Sequence, residues 1–217
     1  MKAFKYPTVF VFVFLLLAGC AGVPVREAMK ENLTVPAGKM EGNQFFGVRY
    51  PFKVTAPSGW KMSTDFPDLL EELGYDKPSP NDREQTELYL LNPTTQSSLQ
   101  IDFTPAGRYA TFSQEQIENL TTMATGSLKG EIEKDYGKDV RVEVGPTQPV
   151  SLKGVQYAAR KEVGYTAKGL RREQGWIYGF TEPYQLFILY MIVGNEPARD
   201  REAIKAILDS FEFITKK

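Results

Sequence analysis

Residues 155–193 read VQYAARKEVGYTAKGLRREQGWIYGFTEPYQLFILYMIV, three extended segments separated by turn residues. Segments 155–165 and 170–180 flank a turn at Lys168-Gly169, and segment 185–193 follows a second break. Turns this short join strands that run antiparallel. Because segment 185–193 is apolar on both faces, we expect a central strand that is covered on both sides. The stretch therefore predicts the middle of an antiparallel β-sheet.

Further strand patterns lie on either side of this stretch. Segments 45–50 and 52–56 lead through Pro57-Ser58-Gly59 into 60–63, which predicts a hairpin-like entry. Segments 87–91 and 99–104 predict two strands around a polar turn. Residues 140–144 alternate apolar and charged side chains, and residues 213–214 are expected to add a short terminal strand.

Helix signals separate these strands. Ser113 and Gln116 have the spacing of a capping box, and Gly137 is a suitable C-terminal stop. Between them an apolar stripe recurs every three or four residues: Ile117, Leu120, Ala124, Leu128, Ile132 and Tyr136. A short helix is expected over 65–74, followed by a polar loop at 75–85. A last helix is expected from about Pro197, with Ile204, Ile207, Leu208 and Phe211 towards the core.

The order of strands, long helix, strands and helix predicts an α+β fold, an antiparallel sheet with helices packed on it. No internal repeat or low-complexity tract divides residues 43–217. We therefore expect these residues to form a single α+β domain. Residues 20–42 are polar or small and lack a sustained period, which predicts a tether.

The N-terminal residues have the anatomy of an export signal. Lys2 and Lys5 precede an apolar run at 9–17, and small residues follow it. A retained transmembrane helix is the alternative. The strongly apolar part spans roughly 15 Å, however, and a bilayer core needs about 30 Å. Residues 1–19 are therefore predicted to be a signal peptide.

The sequence Leu17-Ala18-Gly19-Cys20 resembles the bacterial lipobox and contains the only cysteine of the chain. The resemblance implies cleavage between Gly19 and Cys20 and acylation of Cys20, with palmitate among the acyl chains. Two or more chains hold a protein stably at a membrane. The residue after the cysteine is Ala21 rather than Asp, which favours the outer membrane, on its periplasmic side, if the organism is Gram-negative. The expected location is thus the bacterial membrane surface.

The amino-acid composition excludes several kinds of catalytic and binding site. The chain has no histidine and one cysteine. This excludes Ser-His-Asp and Cys-His catalytic sites, and nearly all catalytic zinc sites. The net charge is −1, and loss of Lys2 and Lys5 makes it about −3, so a basic nucleic-acid footprint is absent. No cofactor or metal is expected.

Two further segments resemble a known family. FKVTAPSGW at 52–60 is similar to the "strand, Pro, small, Gly, Trp" opening of the PsbP-like superfamily, and AIKAILDSFEF at 203–213 is similar to its closing helix and Ser-Phe-x-Phe. The superfamily includes extrinsic photosystem subunits, a Ran-binding nuclear transport factor and bacterial lipoproteins. The resemblance implies an α/β/α sandwich with a non-catalytic binding or assembly role. It implies no catalytic residues.

Two motifs suggest catalysis but have simpler explanations. Ser58 and Lys61 match the S-x-x-K signature of penicillin-binding enzymes, but the companion motifs are missing and the Ser lies in a predicted turn. Four acids, Asp65, Asp68, Glu71 and Glu72, could include a glycosidase pair. Acids at the start of a helix more simply offset its dipole.

Two other groups bear on binding. Lys168, Arg171 and Arg172 form a basic hairpin tip that could touch lipid headgroups or an acidic partner, although such tips are usually only solvated. Trp176, Tyr178 and Phe180 share one strand face, for which core packing is the simpler interpretation and a ligand pocket the alternative.

The sequence thus favours a membrane-anchored, non-enzymatic adaptor of the bacterial cell envelope. Its expected partners are membrane lipid, through acylated Cys20, and an envelope protein. One alternative is a carrier of a small apolar ligand between helix and sheet. A second is a histidine-free hydrolase. An open aromatic cavity would favour the carrier, and Ser58 and Lys61 with acids in a cleft would favour the hydrolase.

Overall fold

A computed structural model describes residues 34–72, 77, 86–106, 112–194 and 197–214. The predicted signal peptide, Cys20 and most of the predicted tether lie outside the described residues. So do Gly74 and, apart from Lys77, the predicted loop at 75–85. Within the described ranges, no helix is both long and apolar enough to cross a membrane.

The strands form two sheets. The smaller sheet has the order β1-β2-β3-β12 and consists of β1 (Gly38–Glu41), β2 (Gln44–Gly47), β3 (Phe52–Thr55) and β12 (Glu212–Phe213). The larger sheet has the order β4-β5-β6-β11-β10-β9-β7, with β8 also paired to β9. Its strands are β4 (Lys61–Ser63), β5 (Thr86–Asn92), β6 (Ser97–Pro105), β7 (Val142–Val144), β8 (Gln148–Pro149), β9 (Tyr157–Ala167), β10 (Leu170–Thr181) and β11 (Tyr184–Val193).

The middle of the larger sheet follows the sequence prediction. β9 and β10 pair antiparallel, with Leu170 opposite Ala167, around a turn in which Lys168 and Gly169 have φ of 52° and 77°. Two positive φ values in succession give the primed turn that matches the twist of a hairpin. β11 pairs with β10 on one side and β6 on the other, so it is the central strand that its apolar faces predicted.

One face of the larger sheet is covered by the long helix α2 (Gln114–Tyr136), numbered after a short α1 (Asp68–Glu72). Ser113 and Gln116 form the predicted capping box, and Gly137 follows the last helical residue. Ile117 and Ile132 are buried against the sheet. The other face is covered by the smaller sheet and by α3 (Ala198–Ser210), which buries Ile204, Ile207 and Leu208. The predicted α+β fold with helices on the sheet is confirmed.

The predicted hairpin-like entry is wrong. β3 and β4 lie in different sheets, and residues 57–60 carry the chain from one sheet to the other. β3 already pairs with β2 along one edge and with β12 along its other edge, where Phe52 lies opposite Phe213. No edge of β3 is left for β4, which pairs with β5 instead.

Several predicted boundaries also differ from the structure. The predicted tether included residues 38–41, but these form β1, which pairs with β2 through a turn at Gly42, where φ is 63°. The first predicted strand, 45–50, ends at Gly47, and the predicted helix at 65–74 is the shorter α1. The terminal strand, predicted at 213–214, is Glu212–Phe213.

Candidate functional site

The residues of the S-x-x-K motif are not enclosed. Ser58 is exposed in the turn between the two sheets, and Lys61 is exposed at the start of β4. The acids Asp65, Asp68, Glu71 and Glu72 are exposed too, at and before the short α1. All six side chains are therefore exposed at the surface of the described chain.

The aromatic face of β10 is core. Trp176 is 2% exposed, and its indole Nε1 donates a 2.9 Å hydrogen bond to the carbonyl of Thr121 in α2. Phe180 packs with Ile117 and with Phe112, at 5.1 Å between ring centroids. Tyr178 packs both against the side chains around Trp176 and against those around Phe180. The prediction of core packing is confirmed for this face.

The basic hairpin tip divides between the two faces of the sheet. Arg171 turns away from α2, and its guanidinium donates to Glu143 Oε2 at 2.7 Å, which lowers the pKa of Glu143. Arg172 and Lys168 turn towards α2, where both lie over the ring of Tyr136. The single basic tip predicted from the sequence is therefore wrong, because its three cations lie on two faces of the sheet.

An open groove lies on the face of the larger sheet opposite α2, beside α3. It has a volume of about 480 Å³ and runs between α3 and the segment that follows β8. Apolar side chains of Leu152, Ile192, Ile204 and Leu208 line it, and Arg160, Glu162, Arg201 and Lys205 supply charges. A second depression of about 350 Å³ shares Glu162, Tyr190 and Arg201 with it and extends towards β7. These two adjoining depressions together form the groove.

A row of three residues on three strands crosses the groove. Gly175 of β10 lies opposite Tyr190 of β11 on one side and Glu162 of β9 on the other. The ring of Tyr190 lies across Gly175, where an added Cβ would come within 2.2 Å of Tyr190 Cζ. The Tyr190 hydroxyl thereby reaches Glu162 and donates a short hydrogen bond to Oε1. A side chain at position 175 would block this contact.

Electrostatics keep the hydroxyl of Tyr190 protonated. Burial raises the pKa of Tyr190 well above its ordinary value, and the charge of Glu162 and its hydrogen bond raise it further. Arg160, whose guanidinium lies 3.8 Å from Glu162 Oε1, acts in the opposite direction on the Tyr190 pKa. At neutral pH the phenol is a hydrogen-bond donor and not a base.

The rim of the groove consists of ion pairs. Arg201 of α3 donates from Nε to Glu173 Oε2 of β10 at 2.7 Å and from a second nitrogen to Oε1, and this contact raises the pKa of Arg201. Arg171 lies across Gly164 on its way to Glu143. Lys205 pairs with Asp209 one turn further along α3. Mutually paired charges therefore surround an apolar floor.

This groove was not predicted from the sequence. Its residues come from distant segments that only the register of the sheet brings together. A usable signal was present, since glycine inside a strand often marks a close approach by another group. Gly164 and Gly175 are such residues, crossed by Arg171 and Tyr190. Across the described part of the chain, no three His, Cys, Asp or Glu side chains are grouped as a metal site.

The fold is similar to that of a solved protein structure, although the sequence has no match. No protein-family model matches the chain, and no curated protein matches its sequence. The solution structure of cyanobacterial PsbP (CyanoP) from Synechocystis sp. PCC 6803 superposes with a TM-score of 0.51 and 10% sequence identity. The superposition covers 83% of this chain and 100% of that one. The fold is PsbP-like. The PsbP-like fold that the resemblance implied is thus confirmed.

Two other solved structures are similar but superpose less closely. A protein from Bacteroides thetaiotaomicron gives a TM-score of 0.47 at 11% identity, over 82% of this chain and 50% of that one. LpqN, described as involved in cell envelope biogenesis of Mycobacterium tuberculosis, gives 0.44 at 10% identity, over 75% of this chain and 82% of that one.

Proposed function

We propose that this protein is a non-catalytic binding domain, held by lipid at Cys20 to the bacterial envelope, and that the groove beside α3 receives a protein partner. The observation that carries the proposal is the groove itself, an open cleft with an apolar floor and a rim of paired charges. Interfaces between proteins have this anatomy, an apolar centre surrounded by polar groups. Ala21 after the lipobox favours the outer membrane as the site of anchoring.

The chemistry of the groove supports binding over catalysis. A general base needs a pKa near the working pH, whereas the pKa of Tyr190 is raised away from it. Glu162 accepts from Tyr190, and Arg201 is held in two hydrogen bonds by Glu173. Groups held in this way present a fixed pattern of charge to a partner.

Site-specific photocrosslinking in cells tests the proposal. A photoreactive amino acid replaces Lys205 or Ser151 at the groove, or Met123 on the opposite side of the sheet, in the full-length lipidated protein. Met123 is 74% exposed and provides the matched control. We expect both groove positions, but not position 123, to capture the same envelope protein, and Arg201→Glu to abolish this capture. Equal capture at position 123, or none at the groove, would contradict the proposal.

A carrier of a small apolar ligand is the second candidate. A cavity of about 210 Å³ between α1 and the sheet is lined by Phe66, Leu70, Tyr89, Leu189 and Met191. Pockets for drug-sized ligands usually exceed about 300 Å³, so this one suits only a small guest. Native mass spectrometry of the lipidated protein in detergent would detect a ligand bound in addition to the anchor, and Leu70→Trp should displace it.

A histidine-free hydrolase has less support, because Ser58 and Lys61 are both exposed in the described part of the chain. Ser58→Ala and Lys61→Ala should leave capture at the groove and the cellular phenotype unchanged. If either variant lost function while it stayed folded and lipidated, the binding proposal would give way to an enzyme.

A further inference from the structure

The β9–β10 hairpin brings two cations to one tyrosine ring. Lys168 Nζ lies 5.7 Å from the ring centroid of Tyr136, and the guanidinium carbon of Arg172 lies 5.6 Å from it. Tyr136 is the last residue of α2, so the three side chains form a corner between the helix and the hairpin. This cationic corner is on the opposite face of the sheet from the groove.

Among the described residues, no carboxylate neutralises the cationic corner. In the described part of the chain, neither Lys168 nor Arg172 has an acidic oxygen within 4.0 Å, whereas the neighbouring Arg171 pairs with Glu143 at 2.7 Å. Arg172 donates only a long 3.7 Å contact to the sulfur of Met191, and its buried Nε has no acceptor among the described residues. The tyrosine ring and the C-terminus of α2 attract cations but carry no full negative charge.

The backbone at Lys168 gives a second, independent indication. Lys168 has φ of 52°, a left-handed conformation that is uncommon for residues other than glycine, asparagine and aspartate. The first central position of such a turn favours Asn or Asp over Lys. Lysine is thus unfavourable for the backbone of this turn. Its contribution to the corner is instead the side chain, whose ammonium group lies over the Tyr136 ring.

We infer that Lys168, Arg172 and Tyr136 form a docking site for an acidic segment of a partner protein. The inference goes beyond the groove to a second surface and rests on the proposed function only in that the protein binds a partner. A guanidinium and an ammonium side by side suit carboxylate side chains, since charge-assisted hydrogen bonds to carboxylates are short and strong.

The position of the corner favours a protein over the membrane. Tyr50, near the start of the described chain, packs on Tyr184 at 5.1 Å, at the end of the sheet where β11 begins. The Lys168 turn is at the other end of β10, a strand of 12 residues, or roughly 40 Å at about 3.3 Å per residue. Val35 and Ala37, at the start of the described chain, contact Arg49 and Val48 beside the first of these ends. The corner therefore lies at the end remote from the point where the described chain begins.

Binding of a labelled octaglutamate peptide tests the inference. The full-length lipidated protein is placed in phosphatidylcholine nanodiscs and titrated with the peptide, with fluorescence anisotropy as the readout. We expect K168E/R172E to weaken binding by about tenfold or more. The control is K134E/K138E, which reverses two exposed lysines near the same end of α2 and changes the net charge equally. It should bind within about threefold of wild type, because neither lysine belongs to the corner over the Tyr136 ring.

Other outcomes overturn the inference. Absence of peptide binding, or equal losses in the two double variants, would do so. For the membrane alternative, bimane at L170C reports contact with doxyl-labelled phosphatidylglycerol bilayers, and quenching abolished by K168E/R172E would assign the corner to lipid. R201E should leave peptide binding unchanged, so the groove and the corner can fail separately. Thermal melts of all variants confirm that they are folded.

Discussion

Asp200, in the first turn of α3, accepts a 2.7 Å hydrogen bond from the hydroxyl of Ser97, the first residue of β6. The same carboxylate accepts from Asn92 Nδ2 at 3.1 Å, and Ser97 Oγ in turn accepts from the backbone N–H of Val193 at 3.1 Å. Asp200 is 2% exposed. Neutral donors and the N-terminus of the helix thus hold a buried negative charge. The network fixes one wall of the groove to the end of the larger sheet.

Asp200→Ala should loosen this attachment. It leaves the side chains of Asn92 and Ser97 buried with their acceptor removed, which costs about 3 kcal/mol in free energy of unfolding. Urea denaturation measures the loss. Asp209→Ala, at an exposed position of the same helix, is the control and should change the free energy by less than about 0.5 kcal/mol. Equal effects would show that the network does not hold α3.

Leu208→Ala tests the apolar face of the same helix. Leu208 is 9% exposed in the main core, together with Ile204, Ile207 and Phe211. Truncation of a buried leucine costs about 2–5 kcal/mol, so the urea midpoint should fall clearly. Lys205→Ala, one turn away and exposed, should have little effect. A similar loss from both would mean that the helix face is assigned wrongly.

Two glycine-to-alanine substitutions should change the stability of the protein in opposite directions. Gly175→Ala places a Cβ within 2.2 Å of Tyr190 Cζ and should destabilise the protein. The double variant Gly175→Ala/Tyr190→Ala, which removes the ring, should relieve the clash. Gly130→Ala, on an open face of α2, should stabilise by about 1 kcal/mol through helix propensity. Thermal melts compare the variants, and a neutral Gly175→Ala would contradict the close approach.

The raised pKa of Tyr190 predicts a specific loss of stability in alkali. Burial, and then Glu162, raise the pKa of Tyr190 in the folded protein, while an unfolded tyrosine loses its proton near pH 10. The stabilisation is therefore complete below about pH 10 and is lost as pH rises above it. Tyr190→Phe should lower the free energy of unfolding by about 1 kcal/mol at neutral pH. As the pH rises above about 10, the variant should then lose less stability than the wild-type protein. Urea titrations across this range test it, with the exposed Tyr157→Phe as the control.

Local signals predicted much of the fold because they act over a few residues. The capping box at Ser113 and the turn at Lys168-Gly169 are both contained in short segments, and both are confirmed. The smaller sheet was not foreseen, because β3 pairs with β12 at the far end of the chain. The pattern of 52–63 alone could not show that this pairing takes the edge a hairpin would need.

The groove was harder to predict for the same reason. Asp200 reads in the sequence as one more acid near the start of an amphipathic helix, and only its contacts with Asn92 and Ser97 show that it is buried. From the sequence, Tyr190 would be assigned to the core. Only the register of the sheet shows that it lies in one row with Gly175 and Glu162. Buried polar groups form hydrogen bonds with partners that are distant in sequence. A single sequence does not show which of these groups pair.

Cys20→Ala tests the anchor on which the proposed location depends. The thiol of Cys20 is the only one in the chain, so no other side chain can form the thioether with lipid. We expect the variant to accumulate as a precursor that retains residues 1–19 and takes up no radiolabelled palmitate. Ala21→Ser, beside the cysteine, is the control and should be processed and labelled as the wild type is. Labelling of the Cys20→Ala protein would refute acylation at this residue, and processing without label would indicate an ordinary secreted protein. Capture at Lys205 in a correctly processed control and its loss in Cys20→Ala would tie the binding role of the groove to the membrane.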